Sequence, residues 1–307
     1  MNYKQRAALL IILIASVCGV AVWGVARYRY RSLRTPAQWL ERLPTQDGLV
    51  LYVDFDALRQ AGVLQMLTGS KVTEEPEYRL FVMKTGFDYT RDLKAVMACF
   101  SPRGKFMVVK GRFDWDSLQS YARGEGGTCR NMVCRMNGST PDRKISFFPM
   151  RPDLMGLAVS PDEWAVADLE SAARARRSLE MPAAPVWLSI PPALLKSSGD
   201  LPEGTRMFAH SMESATDVSI AVAPSGQRFE ARLNVQCRDE QQAEVLAAQL
   251  TSITELLRGM IAREHQTPSS RDLSGVLTSG TFNHLGTRVL GSWPIERGFV
   301  AGLLGGG

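Results

Sequence analysis

The chain has 307 residues, enough for two ordinary domains, and its 45% hydrophobic and 22% charged residues are those of a folded protein rather than a disordered one. The net charge of +5 belongs to one end: six of the 36 basic residues and none of the 31 acids fall in residues 1–34, which leaves 30 basic against 31 acidic residues in the rest. A body so balanced gives no support to nucleic acid as a partner.

In chain order, the first element is an apolar run at residues 7–26, AALLIILIASVCGVAVWGVA, twenty residues without a charge. A helix of that length spans about 30 Å, the hydrocarbon thickness of a bilayer. Trp23, Tyr28 and Tyr30 suit a membrane interface, and RYRYRSLR reads as a stop-transfer flank. Gly24-Val25-Ala26 is a possible cleavage site, and Cys18 follows Val17, too large for lipoprotein processing, so the reading adopted is an uncleaved single-pass anchor whose partner is the lipid bilayer. Four arginines after the run against Lys4 and Arg6 before it favour a body inside the cell. A short basic tail followed by an apolar core is nevertheless how exported chains begin, and the body is expected to be periplasmic.

Residues 35–46 read as a linker with an amphipathic lead-in, followed by an Asp47-Gly48 turn and a β-prone run, LVLYVDF (49–55). Helical spacing follows at 57–67 and 77–86. The runs KAVMACF (94–100) and KFMVVKG (105–111) read as a hairpin turning at Ser101–Gly104. DWDSLQSYA (114–122) returns to helical spacing, with Asp114 as N-cap and Phe113 packing before it. CRNMVCRM, KISFFPM and LMGLAVS predict strands between 129 and 160. Cys129 and Cys134 are read either as a disulfide across a hairpin around RNMV, if the compartment is oxidising, or as two half-buried thiols.

Ser160-Pro161-Asp162-Glu163 has the pattern of a helix start, and the helix is expected to run to about Leu179. Arg174, Arg176 and Arg177 near its end are read as a charged outer face interacting with the helix dipole, in preference to an anion patch. Four prolines around a short strand in MPAAPVWLSIPP (181–192) mark a boundary. Strands at 216–223 and 227–237 then flank Pro224-Ser225-Gly226. Asp239 and Gln242 open a long helix with Leu246, Leu250, Ile253, Leu257 and Met260 along one side. Two strand-like runs, LTSGTFNHLG and TRVLGSWP, and a short apolar helix finish the chain.

The order of elements after residue 34 repeats. The predicted class is α+β: an N-terminal transmembrane helix, then a tandem duplication of antiparallel sheet units with covering helices. The expected divisions are 1–34 (anchor and basic flank), 35–180 (first α+β subdomain) and 181–307 (second α+β subdomain).

The sequence carries no marker of a reaction. It lacks a phosphate loop, a strand-linked GxGxxG, a GxSxG elbow, HExxH and an acidic calcium loop. His210, His265 and His284 are the only histidines, and each is read as a surface or hydrogen-bonded structural residue. Asp114 and Asp116, two apart on a helix, point to different sides and do not make an acid–base pair. No CxxC pair accompanies Cys99 or Cys237. No catalytic, cofactor-binding or metal-binding residue is assigned.

The phrases TGFDYTRDL (85–93), VVKGRFDWDSL (108–118) and CRMNGSTPDRKISFFP (134–149) resemble those of uncharacterised N-terminally membrane-anchored bacterial envelope proteins of acidobacterial type, mainly over residues 45–165. The resemblance implies a bacterial setting and an extracytoplasmic body, and no activity. The expectation is therefore a membrane-anchored, non-catalytic binding or scaffolding module with a protein partner at the envelope. The alternatives are a cofactor-free hydrolase with dispersed residues, which needs His210 or His284 beside a serine or carboxylate in a deep pocket, and a sensory or regulatory subunit packing through Ala15, Gly19 and Gly24.

Overall fold

The computed structural model describes residues 33–63, 75–140, 142–173, 176–196, 203–264, 267–269 and 272–304. The apolar run 7–26, with Cys18, Ala15, Gly19 and Gly24, and also Arg174 and His265, lies outside them. The chain divides into two compact units, residues 1–41 and 42–307. Within the first, helix α1 (Pro36–Leu40) is closed at its start by Gln38 Oε1, which accepts from the N–H groups of Arg34 (2.8 Å) and Thr35 (3.1 Å).

The second unit is built on one large antiparallel sheet. Its strands are β1 (Leu49–Asp54), β2 (Leu93–Ser101), β3 (Gly104–Gly111), β4 (Thr128–Arg130), β5 (Val133–Asn137), β6 (Lys144–Arg151), β7 (Leu154–Ser160), β8 (Val186–Ile190), β9 (Asp217–Ser225), β10 (Arg228–Gln236), β11 (Thr281–Leu285) and β12 (Arg288–Ile295). Their order is β11-β12-β10-β9-β8-β1-β2-β3-β7-β6-β5-β4. The helices are α2 (Phe55–Gln60), α3 (Pro76–Thr85), α4 (Tyr89–Asp92), α5 (Trp115–Gly124), α6 (Pro192–Leu195), α7 (Glu203–Ser211), α8 (Glu240–Arg263), α9 (Leu273–Thr278) and α10 (Arg297–Leu304).

Reading outward from the β1–β8 pair, each side follows the same route. Three neighbouring strands (β1-β2-β3, or β8-β9-β10) lead into a helix (α5 or α8) that carries the chain to the sheet edge, and hairpins bring it back beside the third strand. Strand alternation puts Val109, Met155, Phe147 and Cys134 under Leu118 and Ala122 of α5. The register through β1 and β8 places Val218, Leu233, Val235 and Val289, beneath α7 and α8, on that same face.

Three sequence expectations are corrected here. CRNMVCRM is two strands, β4 and β5, turning at Asn131-Met132, both at positive φ (49° and 68°), and Cys129 is disulfide-bonded to Cys134 opposite it. The start of LTSGTFNHLG is the end of α9, and the strand begins at Thr281. Among the described residues, the helix expected from Ser160 to Leu179 is replaced by one short 3₁₀ turn, Ala165–Leu169, and irregular chain. The capping residues are engaged otherwise: Ser160 Oγ donates to Arg103 O (2.8 Å) and accepts from Asp162 N–H (3.2 Å), while Asp162 Oδ1 accepts from Trp164 N–H (2.9 Å). Such local side-chain bonds favour turns over helix.

Helix α8 is, among the described residues, the one helix long and apolar enough to cross a membrane. Its inner stripe, Ala243, Leu246, Ala247 and Leu250, is part of the core on the sheet, and Met260 at the end of the expected stripe is exposed. A soluble core helix has these properties too.

Candidate functional site

The second half of the sheet and its helices, with Leu49 of β1, line a partly open apolar cavity of about 530 Å³. Its floor comes from alternating strand positions: Leu188 and Ile190 on β8, Ile220 on β9, Ala231 and Leu233 on β10, Trp293 on β12. Its roof comes from Leu194 and Leu195 of α6, from Val276 and Leu277 of α9, and from Thr205, Phe208, Ala209 and Met212 on one stripe of α7 and the turn after it. Alanines at 209 and 231, among much larger neighbours, leave space that a close-packed core would fill. The volume is several times the ~150 Å³ of engineered cavities that stay dry and admit small apolar molecules.

The cavity's chemistry is narrow. Among the described residues no ionisable side chain lines it, and the side chains on its described walls that carry an N–H or O–H donor are Thr205 and Trp293. The candidate general bases lie elsewhere. His210 is 79% exposed with its Nδ1 2.8 Å from Glu213 Oε1, and His284 is exposed on edge strand β11. Among the described residues no three His, Cys, Asp or Glu side chains gather as a metal would require.

Two polar constellations serve the scaffold. Asp88 caps α4 and Asp114 caps α5; the Asp114 carboxylate accepts from Ser117 N–H (3.1 Å) and the Ser117 hydroxyl (2.9 Å). Asp92, 5% exposed, accepts from Asp88 N–H (2.9 Å) and Arg112 Nε (3.0 Å). Gly111 is required by close approach: a Cβ there would lie 2.9 Å from the Asp92 carbonyl oxygen.

The second constellation overturns the reading of Arg177 as part of a charged outer face. Its guanidinium turns inward and donates to Thr45 O (3.0 Å), Gly48 O (3.0 Å) and Asp217 Oδ1 (2.8 Å), while its backbone N–H donates to Thr45 Oγ1 (3.0 Å). Arg176 beside it is exposed. Burial outweighs the Arg177 charge and leaves the Asp217 carboxyl above its ordinary value. Burial pushes the neighbouring Cys99 thiol up to about 11, and the thiol donates to Pro44 O (3.4 Å).

No protein-family model matches the chain, and no curated protein matches it. Solved structures of TP0453 do. Crystal form IV is 12% identical, with a TM-score of 0.50 over 87% of this chain and 96% of that one. Crystal form I is 11% identical, with a TM-score of 0.50 over 87% and 98%. Crystal form III is 10% identical, with a TM-score of 0.51 over 85% and 95%. At such identities the likeness is one of fold.

The cavity residues were not singled out by sequence reasoning. They come from eight elements, each reading as ordinary core, and the signal is a shortage of side-chain volume at Ala209 and Ala231 that no motif expresses.

Proposed function

We propose that this chain is a non-catalytic binding module that carries one long apolar ligand in the cavity beneath α6, α7 and α9. The cavity itself supports the reading most directly. Its volume falls in the range of about 300–1,000 Å³ typical of small-molecule sites, and its walls, as far as the described residues go, offer apolar surface and no ionisable side chain.

The finer reading places the module at a bacterial membrane, with residues 7–26 as a single-pass anchor and the body on the periplasmic side. The length and apolarity of that run support the anchor, and the Cys129–Cys134 disulfide supports an oxidising compartment. The resemblance to anchored envelope proteins agrees, and a protein partner there would deliver or receive the ligand. We also read the matching strand–helix–hairpin routes on either side of the β1–β8 pair as a tandem duplication, with this cavity in the second copy.

The test is native mass spectrometry of full-length protein released from detergent after purification from its own membranes. The expected spectrum contains a single apolar adduct that disappears in Ala231→Phe, a variant that fills the cavity without adding polarity. Adducts of the same mass and abundance in both proteins would overturn the proposal. A C-terminal alkaline phosphatase fusion tests the location: an inactive fusion would put the body in the cytoplasm.

A further inference from the structure

The apolar surface of the cavity continues past Leu49. In the register of the central strands Leu49 of β1 stands opposite Phe100 of β2, Phe100 opposite Lys105 of β3, and Lys105 opposite Val159 of β7. Residues paired in this way point to the same side of a sheet, so the row lies on the face that carries the cavity. Phe100 is 37% exposed, and Lys105 is exposed. The apolar track therefore leaves the cavity over one open aromatic ring and meets a cation two strands from Leu49, about 10 Å away at the usual strand spacing. On the roof, Leu194 lines the cavity and is 40% exposed, which marks an opening at α6. Helix α6 follows the end of β8 that lies beside the start of β1, so this opening and Leu49 share one end of the β1–β8 pair. Lys105 departs from the pattern of its strand: Met107 and Val109, next in its alternating row, pack in the core under α5. It enters no ion pair among the described residues. The acid closest to Leu49 in the chain, Asp47, acts on the Arg177 guanidinium.

We infer that the ligand of this cavity is a single-chain amphiphile with an anionic head: its hydrocarbon chain fills the cavity and crosses Leu49 and Phe100, and its head meets the Lys105 ammonium group outside. This rests on the reading of the cavity as a ligand site. A lysine at the end of an apolar row lays its stem along that surface and keeps its charge in water. An anion beside it stays at the rim, where water still solvates it, and gains the attraction of the cation without the penalty of burial. A neutral head gains nothing from the lysine, and a cationic one is repelled.

The experiment uses full-length protein and reads bound mass by native mass spectrometry at about pH 8. The probes share a myristoyl chain: lysophosphatidylglycerol and myristate carry an anionic head, and lysophosphatidylcholine a head without net charge. Lys105→Glu is expected to weaken the anions about threefold relative to the phosphocholine, the size of effect an exposed charge pair gives. The loss should shrink as the ammonium acetate concentration is raised. A loss confined to one anion supports the inference and names the head group as carboxylate or phosphodiester. Ala231→Phe, which fills the cavity, is expected to lose all three probes. Anions bound equally by wild type and folded Lys105→Glu overturn the head-group inference and leave the cavity reading standing. Anions bound undiminished by Ala231→Phe would sit outside the cavity and overturn the inference as well. Failure of all three probes to bind wild type overturns both readings.

Discussion

The ring of Phe87 stacks on the ring of Phe113, with centroids 5.3 Å apart and planes 14° from parallel. Each phenylalanine stands immediately before an N-cap aspartate, Asp88 or Asp114, so two similar phrases of sequence fold into one joint between helix starts, tied by Arg112 to Asp92. Asp114→Ala is expected to lower Tm by about 2–4 °C, with Asp114→Asn close to wild type, because Asn also accepts at an N-cap. Ligand adducts in both variants should match wild type. Loss of binding without loss of Tm would make this joint a functional site.

The carboxylates of the joint set the acid limb of stability. Burial raises the pKa of Asp92, but the Asp88 N–H and the Arg112 guanidinium outweigh it and hold the carboxyl below its ordinary 3.8. At Asp88, burial is likewise outweighed by the Thr90 hydroxyl and N–H and the Tyr78 hydroxyl. A folded pKa below the unfolded one contributes stability that is present above the unfolded value and lost as pH falls through the folded value. Asp217, raised by burial, acts in the opposite sense: its contribution is present below 3.8 and lost as pH rises through its folded value. The urea midpoint is expected to hold near neutrality and fall below about pH 4, more shallowly in Asp92→Asn. An acid limb unchanged in Asp92→Asn would remove this group as its cause.

Much of the sheet was legible because its signals are local. The β-prone runs at 49–55, 94–111 and 216–237 became β1, β2–β3 and β9–β10, and the Asp114 and Asp239 caps were visible as residue types at fixed spacing. In MPAAPVWLSIPP the prolines flank β8 without interrupting its ladder, and β8 pairs with both β1 and β9. The chain after β7 was illegible for a tertiary reason. Arg177 satisfies acceptors at Thr45 and Gly48, far back in the sequence, and no local pattern announces a partner at that distance. The cavity was illegible for another reason, since it is defined by atoms that are missing.

Arg177 is expected to be among the most sensitive polar positions. Removing the guanidinium of this part-buried ion pair leaves the Asp217 carboxyl and two backbone carbonyls without their donor, and Arg177→Ala should cost about 2 kcal/mol. Arg177→Lys should rescue little, because an ammonium group cannot reach three acceptors held in a guanidinium's fork. Urea unfolding of both variants checks this, and a lysine variant as stable as wild type would show that charge alone suffices.

Reduction of the Cys129–Cys134 bridge is expected to cost about 2 kcal/mol, the low end for disulfides, because the loop it closes is short. Met132 occupies a backbone conformation that favours glycine, so Met132→Gly should be tolerated in the oxidised protein and recover part of the loss in the reduced one. Chemical unfolding with and without reductant measures both. Thiol labelling of unreduced, denatured protein should leave Cys129 and Cys134 unmodified.

The pairing of β1 with β8 has a kinetic consequence. Val53 is in register with a strand that begins at Val186, about 130 residues later, so the central pairing spans more chain than any other in the sheet and waits until well over half of it has been made. Until β8 emerges, β1 presents an unpaired β-rich edge to its surroundings, and edges of that kind recruit other chains. A protein built this way depends on having its first half sheltered during synthesis or export, and its yield should track chaperone supply more closely than its final stability does.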